Sequence, residues 1–461
     1  MTAKTISPID NSVVYEQAFA SQQHIDTTIE QARDAQQAWA ELSIEQRASI
    51  CRRAVDYFIQ NSEAIGSDIT HQMGRPIRYS VNEVKGAQER ALHMIDIAPQ
   101  VLADINIEDS EQRRRLIRKN PLGVVFVVAP WNYPLLTTVN SVFPALMSGN
   151  SVVIKPSIQT PLVGEHFTRS FEQAGAPKGL VQALCLNHQS TSALLGSGAI
   201  DYCCFTGSVN AGKKMEAAIA GTFKGLTLEL GGKDPAYVCD DANIASTVSE
   251  LVDGAFFNSG QSCCGIERIY VARQNYDAFV EAYINEVKLY VLGNPLEQAT
   301  TLGPVVRADA ADWVRKQNQQ AVAAGATACI DPALFAMDTG SSAYLAPQVL
   351  VNVDHSMSVM REESFGPTVG IMPVSDDSEA VALMNDSDFG LTASIWGQDL
   401  GRIERLGNQL QTGTVYMNRC DYLDPALVWT GVKDTGRGAS LSALGYNAFI
   451  QPKSFLLQNK Y

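Results

Sequence analysis

A thiol and a carboxylate carry the most legible chemistry in this chain. Cys263 lies in Phe257-Asn258-Ser259-Gly260-Gln261-Ser262-Cys263-Cys264, a glycine-bearing turn, and Glu229 lies in the apolar run Leu228-Glu229-Leu230 just ahead of Gly231-Gly232-Lys233. A thiolate attacks a carbonyl carbon, and a semi-buried glutamate draws a proton from the water that hydrolyses the resulting thioester. Each residue also has a plainer reading. Most buried cysteines only pack, and a strand glutamate beside a lysine is an ion-pair partner. The six histidines, at 24, 71, 93, 166, 188 and 355, show no metal-ligand spacing, and no CxxC pair exists. No metal site is therefore expected.

A nucleotide signal is present but weak by itself. The chain lacks a GxGxxG fingerprint and offers instead Phe205-Thr206-Gly207-Ser208-Val209-Asn210-Ala211-Gly212, a strand end, a tight turn and a helix start. Its glycines would let backbone approach a pyrophosphate at a helix N-terminus. They would equally serve turn geometry alone. Lys155-Pro156-Ser157 is a second strand end, where a lysine meets ribose or phosphate oxygens or simply precedes a turn proline.

These residues need a scaffold, and the periodicity supplies one. Helical patterns cover 26–64, with Asp26 or Thr27 as the expected cap, and 81–103. Strands expected at 123–128, 151–154, 180–184, 201–205 and 226–230 then alternate with helices at 135–147, 162–174, 189–195 and 211–220. Val/Ile/Leu runs between helices indicate a parallel sheet covered on both faces, with ligands at the carboxyl ends of its strands. A second alternating block has strands at 268–271, 368–374, 391–396 and 413–417 and helices at 276–290 and 308–324. The segment 101–120 reads as a protruding hairpin, and 451–458 as a half-buried strand; neither can bury its apolar face locally, which points to packing across subunits.

Composition bounds the rest. At 461 residues, with 46% hydrophobic and 18% charged residues, two or three subdomains are expected. The net charge of −14, from 35 basic and 49 acidic residues, argues against nucleic acid as a partner. Arg113-Arg114-Arg115 is read as a solvated hairpin face. Nine scattered cysteines form no disulfide framework and suggest a reducing compartment. Without a secretory signal or a span of about 20 apolar residues, a cytoplasmic protein with no membrane partner is expected.

In order along the chain, seven segments resemble the NAD(P)-dependent aldehyde dehydrogenase superfamily. They are Pro130-Trp131-Asn132-Tyr133-Pro134, Lys155-Pro156-Ser157, the Gly207 to Gly212 turn, Glu229-Leu230-Gly231-Gly232-Lys233, Gly260-Gln261-Ser262-Cys263, Glu363-Ser364-Phe365-Gly366-Pro367 and Gly413-Thr414-Val415-Tyr416-Met417-Asn418. The resemblance implies an α/β fold with a Rossmann-like parallel-sheet cofactor domain (1–100 and 121–231), an α/β catalytic domain (232–430) and a small β oligomerisation arm (101–120 and 440–461), in a homodimer or homotetramer. It implies Cys263 as nucleophile, the Asn132 amide and Cys263 backbone N–H as oxyanion donors, and Glu229 as the base that hydrolyses the thioester. It places Lys155 on the adenosine ribose, Ser208 near the pyrophosphate, Glu363 on the nicotinamide ribose and Phe365 against the nicotinamide ring. Trp131, Ser157, Ile158, Gly207, Gly212 and Gly231 complete the cofactor's surroundings. Cys264 is expected to pack or to be a redox bystander.

Two departures matter. NAD-preferring members usually carry a glutamate three positions after Lys155, where this chain has Ile158. Isoleucine neither accepts the ribose hydroxyls nor repels a 2′-phosphate, so NADP is expected to be tolerated or preferred. Succinic semialdehyde dehydrogenases typically have an arginine at the position of Asn140, and its absence argues against a carboxylate-bearing substrate. Tyr133, Asn140, Leu423 and Trp429 suggest a partly apolar mouth for medium aliphatic or aromatic aldehydes, whereas Asp421 would favour an amino- or ammonium-bearing one. Three rival readings remain: a CoA-acylating enzyme, which generally lacks the glutamate; a cysteine hydrolase, for which no histidine has an orienting motif; and a catalytically retired binding protein.

Overall fold

Strand Val124–Val128 is buried along its whole length and forms the centre of the sheet that positions the site. A five-residue run of Val and Phe has no polar face to offer water, so it fits only where helices cover both sides. The computed structural model describes residues 2–110 and 113–458; within the expected arm, 111–112 and 459–461 lie outside the described residues, as does residue 1 of the first expected domain. The six-stranded sheet has the order 436–437, 225–229, 202–206, 124–128, 151–155, 181–183. Its five long-range neighbours run parallel from 225–229 to 181–183, and 436–437 closes the edge antiparallel. The chain goes outward from 124–128 to 151–155 and 181–183, then returns to build 202–206 and 225–229 on the other side. That reversal opens a crevice at the carboxyl ends of the strands.

Helices Pro134–Met147, Leu162–Gln173, His188–Gly196 and Val209–Ile219 make the crossovers. One face of the sheet packs with Trp39, Phe58, Met94, Phe143 and Phe167, and the other with Ile25, Ile29, Leu195 and Met215. A seven-stranded sheet, in the order 327–328, 348–351, 368–374, 266–272, 234–238, 392–396, 414–417, forms the second body; it is parallel except for 327–328. A third, antiparallel sheet joins Ile450–Gln458, Arg113–Pro121 and Ile105–Ser110, with Phe455 opposite Leu116. The hairpin and the tail thus pair with each other, and Leu456 and Leu457 remain 66% and 51% exposed rather than half-buried.

The long helical run expected at 26–64 is three helices, Gln22–Ala40, Ile44–Gln60 and Ser62–Met73. Ser21, not Asp26 or Thr27, caps the first, and Ser43 with Gln46 forms a reciprocal capping box that starts the second. Helix Ile77–Val101 begins earlier than periodicity suggested, immediately after Pro76. The sequence reading also passed over an N-terminal hairpin, Thr2–Ile6 with Val13–Ala18, helix Ile244–Phe256, and strands Asp234–Val238 and Gln348–Val351. The described cysteines are all free thiols. No helix among the described residues is long and apolar enough to cross a membrane, and no group of three or more potential ligands there could hold a metal ion.

Candidate active site

The carboxyl ends of three neighbouring strands deliver the site. Strand 124–128 leads into Trp131-Asn132-Tyr133, strand 202–206 into Gly207-Ser208, and strand 225–229 ends on Glu229 itself. From the second body comes the Cys263 loop. It follows helix 244–256 through Asn258 and Ser259, both held at positive φ (52° and 57°), a conformation non-glycine residues seldom adopt. Side chains hold this turn in place. Ser259 donates to the Gly303 carbonyl at 2.8 Å, and Gln261 donates to the Asn258 carbonyl at 2.9 Å while accepting from the Val306 N–H at 2.7 Å. Gly232 must lack a side chain, because a Cβ there would overlap the Cys263 carbonyl oxygen.

Cys263 and Glu229 open on one cavity of about 310 Å³. Tyr133, Asn140, Asp421, Leu423 and Trp429 also line it, together with Thr206, Ser262 and Cys264. Enclosure raises the Glu229 pKa from the usual carboxylate range to about 7; the Arg90 charge and a 3.4 Å hydrogen bond from Thr206 oppose that rise. Asn132 is buried 6% exposed, and its amide donates to the Gln261 carbonyl at 3.2 Å, two residues ahead of the thiol. Its own carbonyl accepts from Arg75 and from Asn258 Nδ2. Cys264 is buried; its hydrogen bond with Cys263, reinforced by burial, pushes its thiol well above the usual range. Ser262 and Cys264 both donate to Asp421 Oδ1, at 2.7 and 3.0 Å. Burial raises the Asp421 carboxyl, and those two donors restrain it.

A second group gathers beside the two glycines. Glu363 accepts from the Gly232 N–H at 3.0 Å, and a Cβ on Gly231 would overlap its carboxylate. Burial, then the nearby Glu267 charge, raises its pKa to about 8. Glu267 ion-pairs with Lys233 and accepts from the Ser364 and Phe365 N–H groups, which holds Phe365 at a φ of 51° with its ring 5.5 Å from that of Trp131. The remaining expected residues lie apart from the main cavity. Ser157 and Ile158 line a small hollow closed by Thr5, Tyr15 and Gln17 of the N-terminal hairpin. Lys155 is largely buried, which lowers its pKa, and among the described residues its Nζ reaches only the Pro156 carbonyl, at 3.5 Å. Ser208 caps helix 209–219, and Gly212 must be small because a Cβ would meet Leu230 at 2.6 Å.

Comparison with known proteins places the chain in a family. The aldehyde dehydrogenase family model matches residues 1–455. The chain belongs to that family. The enzyme is 31% identical to the mitochondrial succinate-semialdehyde dehydrogenase of Arabidopsis thaliana over 98% of its own length and 85% of the relative's. It is equally 31% identical to the betaine aldehyde dehydrogenase of Agrobacterium fabrum, covering 98% and 92%. Among solved structures, the NADP-dependent glyceraldehyde-3-phosphate dehydrogenase of Bacillus halodurans, complexed with NADP, superimposes with a TM-score of 0.93 at 30% identity, over 99% of this chain and 96% of that one. It is thus an NAD(P)-dependent oxidoreductase that acts on an aldehyde.

Sequence reasoning missed several residues of this site. Arg90 and Glu89 line the cavity from helix 77–101, and Asp253 and Phe257 from helix 244–256 and the turn after it. For Arg90 the sequence carried only its phase, the inward one set by Val84, Ala87, Ala91 and Met94. The buried Arg75–Glu83 pair behind Asn132 had no signal, since its partners meet only in three dimensions.

Proposed function

We propose that Cys263, Asn132 and Glu229 oxidise the aldehyde through a covalent thioester. The thiolate of Cys263 bonds to the aldehyde carbon, and the carbonyl oxygen becomes an alkoxide that accepts hydrogen bonds from the Asn132 amide and the Cys263 N–H. Such a donor contributes about 3 kcal/mol to the transition state. A nicotinamide held beside Glu363 and Phe365 would supply the two-electron acceptor for the hydride on this carbon. Water then adds to the thioester as Glu229 removes its proton, and the C–S bond breaks to release the acid and restore the thiolate. The single observation behind this reading is that the thiol and a carboxylate of pKa about 7 share one cavity, with the Asn132 amide beside the same loop. Glu229 also favours water over CoA as acyl acceptor.

The cofactor reading rests on fit. Lys155, a largely buried lysine that makes no ion pair among the described residues, suits a ribose hydroxyl or phosphate, and the bare Gly231 backbone beneath Glu363 suits close approach of a ribose. Ile158, 37% exposed in its hollow, neither repels nor holds a 2′-phosphate, so NADP is accepted and Lys155 and Ser157 meet the phosphate. The mouth, with Leu136, Phe257, Tyr422, Leu423 and Trp429, suits medium aliphatic or aromatic aldehydes. The relatives' own substrates, one acidic and one cationic, do not choose between charges. The cofactor and arm domains follow the ranges given above, and the enzyme works as a homodimer or homotetramer in the cytoplasm.

An aldehyde panel assayed with NAD and NADP in parallel, without CoA, tests the proposal. Turnover with NADP within about a hundredfold of that with NAD in kcat/KM, roughly 2.7 kcal/mol, is expected. A larger NAD preference overturns the cofactor reading, and turnover that demands CoA overturns the hydrolytic one.

A further inference from the structure

Deep in the cavity wall stands a buried cation that the proposed cycle leaves unused. Arg90 lies one helical turn past Gly86, which also lines the cavity, and is only 7% exposed. Its Nη1 donates to the Leu136 carbonyl at 3.0 Å and to Asn140 Oδ1 at 3.4 Å. Among the described residues its Nε and Nη2 have no acceptor, no carboxylate forms an ion pair with it, and the Asn140 Nδ2 has no acceptor either. The other deeply buried arginines near the site are closed by the protein. Arg75 engages Glu83, Asn258 and the Asn132 carbonyl; Arg268 engages the Lys233, Leu383 and Met384 carbonyls and the Tyr270 hydroxyl. An uncompensated guanidinium in a protein interior is expensive, so one left facing a cavity is poised for an anion.

We propose that Arg90, assisted by the Asn140 amide, binds the carboxylate of an aldehyde that carries an acid group at the end away from its carbonyl. This rests on the reading that the cavity holds the aldehyde over Cys263. The planar guanidinium fork matches a carboxylate in two parallel hydrogen bonds. The cation that residue 140 itself lacks thus arrives from helix 77–101, which removes the objection drawn from the sequence. Acids also line the cavity, and they define the opposite case, an ammonium-bearing aldehyde. Yet Glu89 is exposed, where solvent screens it; burial holds Asp253 and Glu229 toward their neutral forms, with pKa values raised to about 6 and about 7; and Asp421 already accepts from Ser262 and Cys264. Arg90 is desolvated and is the one cation among the lining residues, so its field is the stronger.

The test compares an oxo acid, a neutral aldehyde of equal length and a trimethylammonium aldehyde on the wild type, Arg90→Met and Arg90→Lys. The wild-type kcat/KM for the oxo acid should exceed that for the neutral aldehyde by about 100-fold, carried mainly by KM. In Arg90→Met that ratio should fall to within a few-fold of one, and Arg90→Lys should recover part of it. An arginine that served only to tune Glu229 would slow both substrates alike and leave the ratio standing, which would overturn the proposal. So would a wild-type ratio near one, or preference for the ammonium compound, even though turnover of the neutral aldehyde would uphold the dehydrogenase reading. Failure of every aldehyde to reduce NAD or NADP would instead remove that reading itself.

Discussion

Glu229 sets burial against charge, and its pH response follows from that conflict. Enclosure favours the protonated acid, so the folded pKa rises to about 7. In the proposed base role Glu229 works as carboxylate, and therefore hydrolysis of the thioester should weaken as pH falls through 7 and level off above it. Stability has a related sign: the folded state holds this proton more tightly than the unfolded chain, so the side chain's penalty grows from about pH 4.5 up to 7. A kcat–pH profile whose acid limb lies near 7 is expected; a limb near 4.5 would contradict the base role. Cys263, Asn132 and Glu229 were legible because each sits in a short run of residues whose order is distinctive. Arg90 was not, because one arginine in a helical pattern announces nothing but its phase, and its empty donors become visible only once helix 134–147 lies beside it. Cys264 was expected to pack or to be a redox bystander; it is buried, and its bond to Asp421 joins positions too distant in sequence to be inferred.

Among elements, the Arg75–Glu83 pair is the joint of the site. Glu83 accepts the Leu135 and Leu136 N–H groups at 2.8 and 3.0 Å, supplying the first turn of helix 134–147 with the side-chain cap that Tyr133 does not provide. Arg75 stacks on the Tyr133 ring, 4.4 Å from its centroid, and donates to the Asn132 carbonyl and, at 3.0 Å, to the Asn258 side-chain oxygen. One ion pair thus ties the helix bearing the cavity wall, Asn132 with its proposed oxyanion role, and the turn that carries Cys263. Arg75→Met leaves Glu83 buried without its cation, so a stability loss of about 3–5 kcal/mol is expected, seen as a lower Tm, with kcat reduced more than KM. Unchanged stability and kcat would show the joint to be unimportant. The five parallel strands of the first sheet were readable to within about a residue, because apolar runs between helices leave few alternatives, whereas the two-residue edge strand 436–437 was passed over. The short strand 234–238, with its Pro and Asp, was not readable either. Tertiary pairing on both sides makes it a strand, and no local pattern does.

At the scale of the molecule, the three-stranded arm stands out as incomplete. Ile105, Ile107, Leu456 and Leu457 are all exposed on it, and a three-stranded sheet that leaves such residues in water calls for a covering surface. The expectation of packing across subunits came from the same alternation in the sequence, and it stands here as a proposal. Sedimentation of the purified enzyme should give a dimer or tetramer, and Leu456→Lys with Leu457→Lys should shift it toward monomer; a wild-type monomer at micromolar concentration would contradict it. The whole account turns on covalent chemistry at one sulfur. Its most direct test is mass spectrometry of Glu229→Gln quenched soon after mixing with aldehyde and NADP. A burst of NADPH matched by an acyl adduct on the peptide bearing Cys263, with slow turnover afterwards, is expected. Steady turnover at the wild-type rate, with no adduct on Cys263, would contradict it.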